Sequence, residues 1–320
     1  MPPESFVSGG RADVSAIVPA WRAAATIGRA LASIAAQTVP PREVIVADDG
    51  SDDGTVEAAE RAAKALSRTR FVLLRLPHRG AGAARNAAIR AACGTFLAFL
   101  DADDEWLPTK IERSLAHAVD VVLVSHDYTV VADGRETVGD CARHFRAARD
   151  PALALFERNF IATSTVMARR EAVLAAGGFD PGLPSAQDYD LWLALLLAPQ
   201  ARFHVFPEPL ARWHETSGSI SSRTEERRRG SMAVLERHAP RLRQRTAAPG
   251  KAALMRAAVV HYEAASAFLG RGKPLSAAGT TLRLPAAFVS AWQATRRPLR
   301  PRSDFLVTAT QPDTVNIDKI

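Results

Sequence analysis

Residues 96–106 read FLAFLDADDEW. Residues 96–100 are uninterrupted apolar side chains. Asp101, Asp103, Asp104 and Glu105 then crowd into the next five positions. A short, continuous apolar run is the signature of a strand covered on both faces, whereas a half-exposed strand alternates. The acids at its exit repel one another, so a positive group belongs among them.

The same unit recurs upstream. VSAIVPA (14–20) is a β-branched run closed by Pro19, EVIVADDGS (43–51) ends in acids and a turn, and FVLLRL (71–76) is a third run. Between them lie helical patterns: Ile27, Leu31 and Ile34 on one face, an Ala-rich segment from Thr55 to Leu66, and a third from Gly82 to Ala92. Strands alternating with helices of about a dozen residues predict crossover units and a parallel sheet. Parallel strands share a carboxyl edge, and ligands of open α/β sheets bind in the crevice outside it. Pro19-Ala20-Trp21, Asp48-Asp49-Gly50 and Asp101-Ala102-Asp103 each follow a strand directly. Their acids are therefore expected to converge.

After Glu105 the pattern becomes mixed. Pro108 suits the first turn of a helix running to His117, with Asp104 and Glu105 as candidate helix-start acids. VVLVSHDYTVVADGRETV (121–138) predicts strands with an Asp133-Gly134 hairpin turn. ATSTVMAR (162–169) predicts another strand. A glycine-rich loop from Gly177 leads to a helix from about Asp188, and RFHVFPEPLARWH (202–214) is a short β segment. From Thr224 the chain reads as helical, with breaks near Pro240, Gly250, Gly272 and Pro285.

The 320 residues are 47% hydrophobic, enough for a substantial core. Two cysteines, Cys93 and Cys141, are too few for a disulfide framework or a cysteine metal site, which fits a reducing compartment. No secretory signal is expected at the N-terminus and no window makes a membrane span. The net charge of +7 is unevenly placed. Residues from 223 onward carry 18 Lys+Arg and 7 Asp+Glu, whereas the preceding residues carry 23 and 27. The expected organisation is a disordered segment 1–12, an α/β domain 13–222 and a basic, mainly helical region 223–320.

An Asp-x-Asp at a strand exit offers hard oxygen ligands. Mg²⁺ or Mn²⁺ keeps waters and is held by one or two carboxylates plus substrate phosphates. Asp188 and Asp190 form a second acidic cluster at a helix start, where one of them reads equally well as an N-cap and Asp188 as a general base. Arg85 opens a helix and can neutralise phosphate or carboxylate charge, or simply sit at the surface.

Taken in order, VSAIVPAW, ASIAAQTVPPREVIVADDGSDDGT, GAGAARNAAIRAACGTFLAFLDADDEWLP, GGFDPGLPSAQDYDLWLAL and RWHETSGSIS resemble a family 2 glycosyltransferase of the GT-A fold over roughly residues 13–222. The resemblance implies a Rossmann-like, mainly parallel α/β sheet with helices on both faces, extended here by a C-terminal helical tail. It implies a nucleotide-sugar donor, UDP-linked, and inverting transfer to an acceptor hydroxyl in bacterial cell-surface glycan synthesis. By position, Pro19, Ala20 and Trp21 line the nucleotide pocket and Asp49 meets the base, with Asp48 beside it. Arg85 lies near the nucleotide. Asp101, Ala102 and Asp103 form the diphosphate and metal motif, with Asp103 the direct ligand of Mg²⁺ or Mn²⁺. Asp188 is the catalytic base, and His214 borders a segment that closes over the diphosphate and is a further metal ligand candidate. The family's base motif often reads Glu-Asp. Gln187-Asp188 keeps the base and leaves acceptor binding in question.

Two other readings stand beside this one. A sugar nucleotidyltransferase would carry a glycine-rich, basic phosphate loop after the first strand, which PAWRAAATIG (19–28) lacks. A non-catalytic nucleotide-sugar-binding protein would have little use for all of Asp49, Asp101, Asp103 and Asp188. The expected partners are the donor and a glycan or lipid-linked acceptor, without nucleic acid. The expected location is cytoplasmic, with the tail at the inner face of the membrane. Leu284, Phe288, Val289 and Trp292 beside Arg296, Arg297, Arg300 and Arg302 make an aromatic-basic pattern suited to an anionic membrane surface, or to packing on the body.

Overall fold

The computed structural model describes residues 2–198, 200–215 and 223–306. The N-terminus, expected to be disordered, instead forms a 3₁₀ turn (Glu4–Phe6) and a short strand β1 (Val7–Ser8). It folds back antiparallel on β2 (Arg11–Ala20), so the first strand starts earlier than the apolar run predicts. Helix α1 (Ile27–Ala35), β3 (Pro41–Asp48), α2 (Thr55–Ala63), β4 (Arg70–Arg75), α3 (Ala81–Ala91) and β5 (Phe96–Phe99) follow as expected. Strands β3 and β5 flank β2, and β4 flanks β3, all parallel.

The second half adds β6 (Glu105–Trp106), α4 (Lys110–Ala116), β7 (Leu123–His126), β8 (Tyr128–Ala132) and β9 (Arg135–Gly139). Asp133 and Gly134 join β8 to β9 with φ of 48° and 72°, both left-handed, as a two-residue type I′ turn demands. Helices α5 (Cys141–Ala147) and α6 (Pro151–Glu157) went unread in the sequence, although Asp140 and Asp150 both accept N-capping bonds and Pro151 occupies the first turn. Then come β10 (Met167–Arg169), α7 (Arg170–Ala175), α8 (Gln187–Leu196), β11 (Phe203–Phe206) and β12 (Ala211–His214). Strand β10 is inserted antiparallel between β5 and β7. The main sheet runs β11-β7-β10-β5-β2-β3-β4, and β6-β12-β8-β9 make a smaller sheet.

Alternate side chains of the parallel strands feed two cores. Ile17, Ile45, Val72, Leu97 and Phe99 pack on α3 and α8, while Ala16, Val18, Val46, Leu73 and Ala98 pack toward α1, α2 and α4. Helices α9 (Thr224–His238), α10 (Pro249–Gly270), α11 (Pro274–Leu282) and α12 (Leu284–Ala294) complete the described chain. Val234, Leu235, Ala253, Ala257 and Ala291 join the core that contains α8. Among the described residues no helix is long and apolar enough to cross a membrane, and both cysteines are free.

Lys110 carries a buried charge with no acid beside it among the described residues. Lys110 is inaccessible, with its ammonium 4.3 Å from the Trp106 ring centroid and 3.5 Å from the Val166 carbonyl. Burial lowers its pKa to about 7; burial together with this neighbouring charge pushes His126 down to about 3. The unfolded chain holds the lysine proton to about pH 10.4. Between pH 7 and that value the unfolded state binds more protons, so stability rises with pH. Lys110→Met should therefore stabilise most at or below pH 7, with the gain fading toward pH 10. Melting curves across that range test this, and a gain independent of pH would show that the ammonium is not the cause.

Candidate active site

Chain order reverses around β2: β3 and β4 extend the sheet to one side, and β5 returns to the other. The crevice lies at the carboxyl ends of β2 and β5. The register pairs Ala20 with Asp48 and ends between β2 and β5 at Ile17–Phe99. The Ile17 carbonyl accepts Leu100 N–H on the β5 side, and the Ala20 carbonyl accepts Asp49 N–H on the β3 side. Alternation points the missing N–H of Pro19 to the β5 side, beyond the last pair, where the ladder needs no donor. Pro19 and Ala20 are buried strand residues, whereas Trp21 is 43% exposed.

Trp21 stacks on His78, with centroids 4.7 Å apart and rings 20° from parallel. That histidine belongs to the loop after β4, which Asp49 organises. Asp49 Oδ1 accepts Arg79 N–H and Oδ2 accepts Gly80 N–H, both at 2.8 Å, and His78 Nδ1 lies 2.8 Å from Oδ2. Asp49 is thus engaged by protein donors. Asp48 accepts Ser51 N–H at 3.2 Å through Oδ2, and its buried Oδ1 has no hydrogen-bond partner among the described residues.

Across the crevice, Asp101, Asp103 and Asp104 follow β5. Asp104 was read as a helix-start acid, but α4 begins only at Lys110 and Asp104 is buried. Ser164 Oγ donates to Asp104 Oδ2 at 2.5 Å and accepts Asp101 N–H at 3.2 Å. Burial and the charges of Asp101 and Asp103 push the Asp104 carboxyl well above the usual carboxylate range. The Asp103 carbonyl accepts from Arg29. Arg85 is the cation among these acids: its Nη2 donates to Asp101 Oδ1 at 2.5 Å, and its guanidinium lies over Phe179 at 5.3 Å. Ala102 is buried between the two motif acids.

Asp188 is in the same field. Thr163 Oγ1 donates to its Oδ2 at 3.1 Å. Lost solvation raises its pKa; the Tyr189 amide, the Arg85 charge and the Thr163 hydroxyl oppose this, and the Asp101 charge adds to it. Neither Asp188 nor Asp190 caps α8, because the N-cap is Ala186 at φ 58° without a side-chain bond. Gln187 faces inward, donating to the Leu183 carbonyl at 2.7 Å, and a Cβ on Gly82 would meet its Oε1 at 3.0 Å. Gln187 is therefore held by the Leu183 carbonyl and lies against Gly82 of α3. Thr163 and Ser164 escaped the sequence reading; they reach the site because β10 runs antiparallel and starts at the carboxyl edge of β5.

His214 lies on β12 beside the acids. Its N–H donates to Asp104 Oδ1 at 3.1 Å, but its Nε2 is 2.9 Å from Glu105 Oε1. Among the described residues no three His, Cys, Asp or Glu side chains converge as a metal cage, so Asp103, Asp101 and His214 are not preassembled as a ligand set. The donor set at β5 nonetheless suits a hard cation that completes its shell with water and phosphate: carboxylate oxygens whose crowded charges push the Asp104 carboxyl well above its usual range. The segment 216–222, expected to close over the diphosphate, lies outside the described residues.

Asp190 has a different role. It is fully buried, with His238 Nε2 at 2.8 Å from Oδ1 and Arg302 Nη2 at 2.6 Å and Arg237 Nη1 at 2.9 Å from Oδ2. Burial would raise its pKa, but His238, Arg302 and Arg237 outweigh it and hold the carboxyl below the ordinary range. Residues 301–306 form a strap over the same region. Arg302 also donates to the Ala176 carbonyl, Phe305 N–H to the Gly177 carbonyl at 3.0 Å, and Arg90 to the Leu306 carbonyl at 3.2 Å. Gly177 and Gly178 have φ of 80° and 73°, and a Cβ there would meet Ser303 O and Asn86 Oδ1, each at 2.6 Å. Asn86, next to Arg85, clasps Phe179 through both N–H and C=O at 2.8 Å. The strap thereby ties together α3 with Arg85, the loop after Gly177, and α8 with Asp188. Arg302, expected in a membrane-facing tail, is internal.

A mainly parallel sheet with acids at the carboxyl edge of its switch point is the architecture of GT-A glycosyltransferases. The mannosyltransferase PcManGT from Pyrobaculum calidifontis, solved with GDP-Man and Mn²⁺, superimposes with a TM-score of 0.58 at 21% identity, covering 92% of this chain and 89% of that one. Staphylococcus aureus TarS with UDP-GlcNAc gives 0.56 at 19% identity over 88% and 90%. The chain belongs to glycosyltransferase family 2: the family described as "Glycosyl transferase family 2" matches residues 15–175. Among curated relatives, the putative teichuronic acid biosynthesis glycosyltransferase TuaG of Bacillus subtilis is 32% identical over 213 residues, spanning 65% of this chain and 81% of that protein.

Proposed function

We propose that this glycosyltransferase moves a sugar, with inversion, from a UDP-linked donor to an acceptor hydroxyl in bacterial cell-surface glycan synthesis. The observation that carries the reading is the convergence of Asp101, Arg85 and Asp188 at the switch point of the sheet. The similarity to a teichuronic acid transferase supports a surface-glycan acceptor, free or lipid-linked, and the likeness to TarS with UDP-GlcNAc supports UDP. The reaction would run in the cytoplasm, with contact at the inner membrane face.

Trp21 and His78 offer a flat wall for the nucleotide base, with Asp48 and Asp49 behind it. Asp103 and Asp101 would hold Mg²⁺ or Mn²⁺, which when bound supplies Lewis-acid neutralisation of the diphosphate. Arg85 contributes positive charge to the same phosphates. Asp188, its basicity strengthened by burial, takes the acceptor proton as the acceptor oxygen bonds to the anomeric carbon. The C–O bond to the diphosphate breaks on the opposite face, and the nucleoside diphosphate leaves with the electron pair. Alignment of the two substrates is the protein's main contribution.

The test is a panel of nucleotide sugars with Mg²⁺, Mn²⁺ or chelator, read by thermal shift and product formation. One UDP-sugar should raise the melting temperature only with metal and be turned over. In Asp103→Ala the metal-dependent shift should disappear while the unliganded melt stays within a few degrees. A variant that keeps wild-type metal dependence would remove Asp103 from the metal site.

A further inference from the structure

Of the eleven well-exposed large apolar side chains among the described residues, eight lie after residue 250, so exposure is concentrated on the C-terminal helices. Met255, Tyr262 and Leu269 are spaced seven apart on α10, which keeps them within about 40° of one face. Leu275 and Leu282, 87% and 81% exposed, are also seven apart, on α11. Helix α11 packs on α10, and residues 269–276 around the turn between them are all exposed. Arg271 and Lys273 are in that turn, with Leu269 and Leu275 on either side; Arg271 Nη1 also donates to Thr224 Oγ1 at 2.6 Å. Residues 245–306 carry ten Lys+Arg and two Asp+Glu; Arg256 is buried and Arg245, Arg283, Arg297 and Arg302 pair with acids, which leaves five others, Arg271 and Lys273 among them.

The sequence pattern placed a membrane contact further on, at 284–302, a stretch in which anchored residues alternate with exposed ones such as Val289 and Trp292. Phe288 packs on the core, Arg297 pairs with Glu236 at 3.2 Å, and Arg302 is under Asp190. The most exposed leucines, Leu269, Leu275 and Leu282, lie on α11 and at its corner with α10.

We propose that α11 and this corner lie on an anionic lipid surface, with Leu269, Leu275 and Leu282 in the headgroup–acyl boundary and Arg271 and Lys273 at the lipid phosphates. Charge selects this occupant. A second copy in a two-fold dimer would set one basic face against another, whereas anionic lipid neutralises it. Apolar side chains flanked by cations are the composition of a helix lying in the interface plane.

The experiment is cosedimentation of the full chain with vesicles of phosphatidylcholine alone or with phosphatidylglycerol, at low and high salt. The chain should pellet with the anionic vesicles at low salt, less at high salt, and not with phosphatidylcholine. Lys273→Glu should weaken binding about fivefold or more, since each cation near such a surface contributes about 1 kcal/mol. Leu275→Glu with Leu282→Glu should weaken it at least about tenfold, the effect of losing two buried leucines. Both leucines are on the surface, so the fold is retained, as circular dichroism will verify. A chain that stays in the supernatant at low salt overturns the proposal, as does binding undiminished by the leucine substitutions. Self-association that disappears in the leucine variant, without vesicle binding, assigns the face to a second copy. No sugar donor is present, so the result stands apart from the transferase reading.

Discussion

Asp188→Asn should slow sugar transfer by about 10²–10⁴ while leaving donor affinity within a few-fold of wild type. Asparagine keeps the shape and can still accept the Thr163 hydroxyl, so only basicity is lost. The same substitution should act in the opposite direction on stability. Burial raises the Asp188 pKa in the folded chain, so its ionised form is the strained one. The folded state binds the extra proton between the unfolded and folded pKa values, and stability falls as pH rises through them. Removing the group should therefore stabilise the protein at neutral pH. Transfer by the wild type should decline on the acid side with a midpoint above that of an ordinary carboxylate, a limb the variant lacks. Single-turnover rates and melts on the same two proteins provide the measurement. A variant with near-normal rate, or one that is both slow and unstable, would make Asp188 a structural residue.

Asp190→Ala should cost about 3–5 kcal/mol at neutral pH, because it leaves Arg302 without its buried acid and Arg237 with Asp180 alone. The folded-state pKa of Asp190 lies below its unfolded value, so its contribution is complete above about pH 4 and is lost as pH falls through the folded value. The gap between wild type and variant should close in acid. Urea melts at neutral and acid pH would show it, and a neutral-pH loss under about 1 kcal/mol would argue against the network. Because the strap touches α3 and α8 together, Arg302→Met should lower kcat more than it raises KM. A purely structural strap would lower stability and leave both constants unchanged.

Much of the fold was legible because it is local. Near-continuous apolar runs at 14–20, 44–47 and 96–100 specify strands buried on two faces, and the helices between them force a parallel arrangement. That arrangement alone carries Asp48, Asp49, Asp101 and Asp103 to one edge. The Asp133-Gly134 turn was equally local, since two left-handed residues in sequence leave little choice. Helices α5 and α6 carried capping signals at Asp140 and Asp150 and could have been found by the same rules.

The sequence by itself thus determined which strands form, which edge carries the acids, and which residue types are available for metal and proton chemistry. Periodicity encodes which face of an element is buried, but not what it is buried against. Only tertiary structure decided that Ser164 and Thr163 hold Asp104 and Asp188, through a strand inserted against the direction of its neighbours. Only tertiary structure decided that Asp190 is a structural anchor and Arg302 its partner, across more than a hundred residues of chain. Such pairings depend on how helices pack on a shared core, a property of many contacts at once that no local pattern records.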